Sequence, residues 1–159
     1  MREADIEILL VEDSPNDLEL ALHALRKENL ANSVEVARDG EEALEFIFCR
    51  GKYAHRNFNH PPRLILLDLK LPKVDGLQVL REIKDDHRTK AIPVVILTSS
   101  KEEKDLVESY RLGVNSYIQK PVDFEQFRSS IKQIGLYWLV VNQPPPARTF
   151  SVAPAAKAA

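Results

Sequence analysis

Three short apolar runs dominate the chain: "IEILLV" (6–11), "RLILLD" (63–68) and "IPVVILT" (92–98). Successive side chains of a strand point to opposite faces. Where both alternating sets are apolar, as at 64–67, both faces must be covered. That describes a central strand of a parallel sheet with helices on either side. Any fold for this chain therefore has to supply those helices.

The intervening segments do supply them. Ser14, Pro15 and Asp17 read as a helix start, with Leu18, Ala21, Leu22 and Leu25 following at helical spacing to about Glu28. Asp39 with Glu42 opens a second helix carrying Ala43, Leu44, Ile47 and Phe48. Asp75 and Gly76 open a third with Val79, Leu80 and Ile83. Ser100 and Glu103 form a capping-box pattern before Leu106, Val107 and Tyr110, and Gly113 stops that helix. Asp123 with Gln126 starts the last helix, which bears Phe124, Phe127, Ile131 and Ile134. Two shorter strands, "SVEVA" (33–37) and "NSYIQ" (115–119), complete a strict alternation of five strands and five helices. The expected fold class is α/β, a doubly wound five-stranded parallel sheet with right-handed crossovers.

Residues 51–62, "GKYAHRNFNHPP", read as a polar loop, long for a connection inside such a domain. From Gln143 onward the chain is rich in Pro and Ala. The expected organisation is one domain over 5–142 and a flexible tail over 143–159. The formal net charge of −2, with signs mixed along the chain, lacks the basic excess expected of a nucleic-acid or acidic-membrane binder. The N-terminus is too acidic, and its apolar run too short, for a signal peptide, and no run is long enough to span a membrane. The single cysteine, Cys49, has no partner within the chain for a disulfide. A cytoplasmic location is expected.

In a sheet of this kind, ligands bind beyond the carboxyl ends of the strands. The residues there are Glu12 and Asp13 after the first strand, Asp68 after the third, Thr98 and Ser99 at the fourth, and Lys120 after the fifth. Two carboxylates about 4 Å apart repel by roughly 4 kcal/mol at an effective dielectric of about 20. Three of them need a cation or raised pKa values, and one lysine offsets only part of the charge. Oxygen-only ligands suit Mg²⁺ better than zinc or a soft metal. The turn "VEDSPND" has three acids and no glycine, so it repels the phosphate groups that related architectures cradle there. A carboxylate, a hard cation, a hydroxyl and a lysine together suit phosphoryl transfer, with Asp68 as the attacking group.

The motifs "LLVED" (9–13), "LILLDLKLPKVDG" (64–76), "VVILTSS" (94–100) and "VNSYIQKPVD" (114–123) resemble the CheY-like receiver domains of bacterial two-component response regulators. The resemblance implies a flavodoxin-like strand order, 2-1-3-4-5. It implies Asp68 as phosphoacceptor, and Mg²⁺ held by Glu12, Asp13, Asp68 and the backbone carbonyl of Lys70. It implies that Thr98 and Lys120 contact the phosphoryl group, that Tyr117 is an aromatic switch coupled to Thr98, and that the Lys120–Pro121 bond is cis. A histidine kinase is the implied partner. More narrowly, the long loop and "IGLYWLVVNQPP" (134–145) resemble the small stand-alone regulators paired with phytochrome-type kinases. On this reading the chain is not a turnover enzyme, and its output is contact with other proteins.

Alternatives from other classes stay open here. An aspartyl-phosphate phosphohydrolase of the haloacid-dehalogenase type carries a second Asp two residues after the nucleophile, where this chain has Lys70. The others are a pseudo-receiver that never accepts phosphate and a flavin-binding protein. "YWLVV" (137–141) reads equally as a helix extension packed on its own domain and as part of a homodimer surface. That surface would join helix four, strand five and helix five to residues 134–142.

Overall fold

The computed structural model describes residues 8–27, 33–121 and 123–150. The start of the predicted first strand, Glu28 at the predicted end of the first helix, and tail residues 151–159 lie outside the described residues. Strands β1 (Ile8–Val11), β2 (Val34–Ala37), β3 (Leu64–Leu67), β4 (Val94–Thr98) and β5 (Ser116–Gln119) alternate with helices α1 (Pro15–Lys27), α2 (Gly40–Ile47), α3 (Gly76–Asp85), α4 (Glu103–Leu112) and α5 (Phe124–Gly135). Every strand pair is parallel, and the order is β2-β1-β3-β4-β5. The expected fold class and strand order are thus observed.

The period of two along the central strands divides the core. Leu9, Val11, Ile65 and Leu67 pack with Leu44 and Ile47 of α2 and Leu80 and Ile83 of α3. Ile8, Leu10, Leu64 and Leu66 pack on the opposite side with Leu18 and Leu25 of α1 and Phe127 and Ile131 of α5. The edge strands β2 and β5 are less buried, as strands with one neighbour are. At the foot of α3, the Lys84 ammonium donates to the carbonyls of Lys90 (3.0 Å) and Ile92 (3.2 Å), tying that helix to the start of β4. Burial pulls this amine down to about 8.

Two helix starts match their sequence signals. Asp39 accepts from Glu42 N (2.8 Å) and Asp123 from Gln126 N (3.0 Å). The Ser100–Glu103 box does not form. The residue capping α4 is Glu102, which makes no side-chain cap bond, and Ser100 Oγ instead donates to Asp105 Oδ2 (2.6 Å). A buried carboxylate is the stronger acceptor. The apolar face read for this helix is also not a core face. Leu106, Val107 and Tyr110 are exposed, as is Phe124 on α5.

The 51–62 loop is better packed than its composition suggests. A 3-10 turn at Gly51–Tyr53 buries Tyr53, whose hydroxyl donates to Glu35 Oε1 (2.6 Å) and whose ring meets Phe46 edge-on. After α5 the chain continues as a π-helical turn, Leu136–Val141, which divides the "YWLVV" segment. Trp138 and Leu139 pack toward α1 and α5, whereas Tyr137, Val140 and Val141 face outward with Leu136. Part of the tail expected from 143 lies within the described residues. Ala147–Phe150 forms a 3-10 turn, and Phe150 is buried in the cluster on the α2–α3 side, an apolar anchor that outweighs the Pro- and Ala-rich composition around it.

The loop after β3 depends on Gly76. A Cβ there would sit 2.5 Å from Leu69 Cα and closer still to the Asp68 carbonyl oxygen. The close approach lets Gly76 N donate to Leu69 O (2.9 Å) and seats α3 directly beneath the Asp68 backbone. Gly76→Ala is expected to cost about 1–3 kcal/mol in urea unfolding and to displace Asp68. A variant as stable as wild type would show that the backbone yields there.

Candidate functional site

Three residues at the centre of the site, Glu12, Asp68 and Lys120, are each the first past a strand and still tethered to the sheet. Glu12 N donates to Ala37 O (3.0 Å), Asp68 N to Val11 O (3.1 Å) and Lys120 N to Thr98 O (2.7 Å). The backbone ladder thus delivers three side chains from β1, β3 and β5 to one edge. Carboxylate oxygens of Glu12, Asp13 and Asp68 lie within 4.8 Å of one another.

Lys120 organises the cluster. Its ammonium reaches Glu12 Oε2 (2.6 Å), Asp17 Oδ2 (2.8 Å) and Asp68 Oδ2 (3.0 Å). Lys120, Glu12 and Asp68 are all nearly sealed from solvent, with side chains 6–8% exposed. Burial opposes charge on Lys120, but the bonds to Asp17 and Glu12 and the charge of Asp68 overcome it, so the ammonium is held above its ordinary value. Burial also pushes the Glu12 carboxyl up to about 7, with Lys120 pulling the other way and Asp68 adding to the rise. The cluster therefore relieves part of its repulsion by pairing with Lys120, while burial shifts the Glu12 carboxyl toward its neutral form. Asp13 is exposed, which leaves the cluster open on one side.

Asp17 was not among the site residues read from sequence. The sequence reads it as part of a helix start and as one of the three acids of the turn, and Asp17 N does lie 3.4 Å from Ser14 Oγ. Its carboxylate, one helical turn after Asp13, turns to Lys120 instead. The signal was the spacing from Asp13, but that spacing has meaning only once α1 is placed against the strand edge.

The remaining predicted residues lie around this centre. Thr98 is fully buried, and its hydroxyl accepts from Ser100 N (3.3 Å). Tyr117 is half-buried against the α2–α3 side, and its hydroxyl donates to Ser100 O (3.4 Å). Lys70 N donates to Asp68 Oδ1 (3.4 Å), while the Lys70 ammonium lies 3.7 Å from Asp105 Oδ2. The cis bond implied for Lys120–Pro121 is absent: no described peptide bond is cis. Trans is the lower-energy form of an X–Pro bond, and here the Lys120 side chain is aimed by its three carboxylate partners.

An all-oxygen donor set with excess negative charge fits a hard divalent cation. Removing the ammonium should leave the buried acids without their internal cation. Lys120→Met is therefore expected to lose about 3 kcal/mol of stability in metal-free buffer and to recover part of it when Mg²⁺ is added. Urea unfolding with and without Mg²⁺ measures both. A variant indifferent to Mg²⁺ would contradict this account of the charge balance.

Comparison with known proteins follows the same lines. The model of the response regulator receiver domain family matches residues 8–132. The probable methanogenesis regulatory protein FilR2 of Methanothrix harundinacea is 41% identical over 138 residues, covering 87% of this chain and 86% of its own length. Response regulator Rcp1 of Synechocystis sp. is 42% identical over 133 residues, covering 83% and 88% respectively. The crystal structure of its Mn²⁺-bound form superposes with a TM-score of 0.82 at 39% identity, over 89% of this chain and 99% of that one. The phosphorylated cyanobacterial phytochrome response regulator RcpA superposes with a TM-score of 0.83 at 42% identity, again over 89% and 99%. On a family match that runs from β1 into α5, this chain belongs to the response regulator receiver domains.

Proposed function

We propose that this receiver accepts a phosphoryl group on Asp68 from a histidine kinase and signals through protein–protein contacts. The observation that carries the reading is Asp68 itself: a carboxylate 6% exposed, 3.0 Å from the Lys120 ammonium and grouped with Glu12 and Asp13. A carboxylate oxygen of Asp68 attacks phosphorus in line. The bond from phosphorus to the kinase histidine nitrogen breaks as the acyl phosphate bond forms. Lys120, already within reach of Asp68, stabilises charge on the equatorial oxygens. Mg²⁺ held by Glu12, Asp13, Asp68 and the Lys70 backbone carbonyl would supply further positive charge there. Thr98 and Tyr117 read the phosphoryl group, with Thr98 giving up its bond from Ser100 N. The donor chemistry and the Mn²⁺-bound relative support a divalent cation. The phosphorylated relative supports the acceptor role.

The product stays on the protein, so the chain acts as a switch rather than a turnover enzyme. The phytochrome response regulator RcpA favours a phytochrome-type histidine kinase as the donor, and we place the exchange in the cytoplasm. A homodimer through α4, β5, α5 and residues 134–142 would cover the exposed Leu106, Val107, Tyr110, Phe124, Leu136, Tyr137, Val140 and Val141.

Acetyl phosphate with Mg²⁺ is expected to give acid-labile phosphate on wild type and none on Asp68→Asn. Phosphate retained by the variant would move the acceptor elsewhere. Mass in solution, with and without beryllofluoride, tests the dimer. A monomer under both conditions at high concentration would exclude it.

A further inference from the structure

Helix α4 is attached to its domain in an unusual way. Its buried residues are polar, Asp105 and Ser109, while Leu106, Val107 and Tyr110 face outward. Asp105 lies in the first turn with its side chain 7% exposed. Its carboxylate accepts from Ser100 Oγ at 2.6 Å, and its carbonyl accepts from Ser109 Oγ at 2.7 Å. The cation facing this carboxylate is Lys70, at 3.7 Å. Lys70 belongs to the loop after β3, and its backbone N lies 3.4 Å from Asp68 Oδ1. Ser100, in turn, offers its carbonyl to Tyr117 and its backbone N to Thr98 Oγ1. One continuous polar chain thus joins Asp68 to the foot of α4.

We propose that the Lys70–Asp105 ion pair is the charge-sensitive link between the Asp68 site and helix α4. The proposal rests on the reading of Asp68 as phosphoacceptor. In the unmodified protein the Lys70 ammonium lies beside the buried Asp105 carboxylate, while its backbone N borders the acid site. The Lys70 side chain is 60% exposed and free to pivot, whereas Asp105 is fixed in place. A phosphoryl group brings a charge of about −2 and three acceptor oxygens. At equal distance it attracts an ammonium about twice as strongly as a single carboxylate. Lys70 therefore turns from Asp105 toward the phosphoryl group. Asp105 is left buried with one side-chain partner, an arrangement that favours rearrangement of its surroundings. The first turn of α4 and the Ser100 segment shift, and Tyr117 loses the carbonyl its hydroxyl bonds. Asp105 is thus a positioning residue that acts through Lys70.

The test is hydrogen exchange over Glu103–Leu112, with beryllofluoride and Mg²⁺ as the phosphoryl mimic and the bound ¹⁹F resonance as an independent readout. Without the mimic, Lys70→Gln and Asp105→Asn should each raise α4 exchange about threefold, the range of a half-exposed ion pair. The double variant should go no further than either one. The mimic should raise α4 exchange in wild type and in Lys70→Arg, but add little in Lys70→Gln. Because Lys70 is on the surface, Lys70→Gln remains informative even if Asp105→Asn unfolds. A bound ¹⁹F resonance in Lys70→Gln with α4 still responding as in wild type overturns the link alone. Absence of that resonance in wild type overturns the phosphoacceptor reading and the link with it.

Discussion

One buried ammonium holds the working edge of this protein together. Lys120 is aimed at carboxylates just past β1 and β3 and in the first turn of α1, so a single side chain after β5 ties these elements together. Four acids, Glu12, Asp13, Asp17 and Asp68, surround it, and one cation cannot balance them. Two consequences follow. The Glu12 carboxyl is pushed up to about 7, and the exposed Asp13 leaves the cluster open to a further cation. The same excess charge that destabilises the edge makes it responsive to metal and to phosphoryl chemistry.

The scaffold around that edge is rigid for an identifiable reason. Strands β1, β3 and β4 are buried on both faces, and their ladder carries the backbone of Glu12, Asp68 and Lys120 directly into the site. Gly76 then lets α3 close under Asp68. Helix α4 is built on the opposite principle. Its first two turns present apolar side chains to solvent and are held by Asp105 and Ser109, with Leu112 at its end packing on the core. Apolar packing is indifferent to a new charge nearby, whereas a polar attachment is not. The rigid and the responsive parts of the domain are therefore distinguished by the kind of contact that holds them.

Much of this could be read from the chain alone. The doubly apolar runs required helices on both faces, and the strand-end residues named the edge where Glu12, Asp13, Asp68 and Lys120 meet. The misreadings share a cause. The Ser100–Glu103 box, the apolar face of α4 and the helix-start role of Asp17 were each inferred from local spacing. Burial and long-range pairing decided otherwise: Ser100 turned to Asp105 on the buried side of α4, and Asp17 turned to Lys120, 103 residues away. The family-derived cis bond at Lys120–Pro121 was likewise absent.

Sequence by itself determined the layered α/β fold, because a two-residue period and a bilateral apolar pattern admit few other arrangements. It also determined which residue types crowd the ligand edge. Only the tertiary structure decided which acid Lys120 holds, where the Lys70 ammonium rests and which face of α4 is buried. Those outcomes depend on competition among charged groups separated by tens of residues, and local spacing carries no information about which of them will meet.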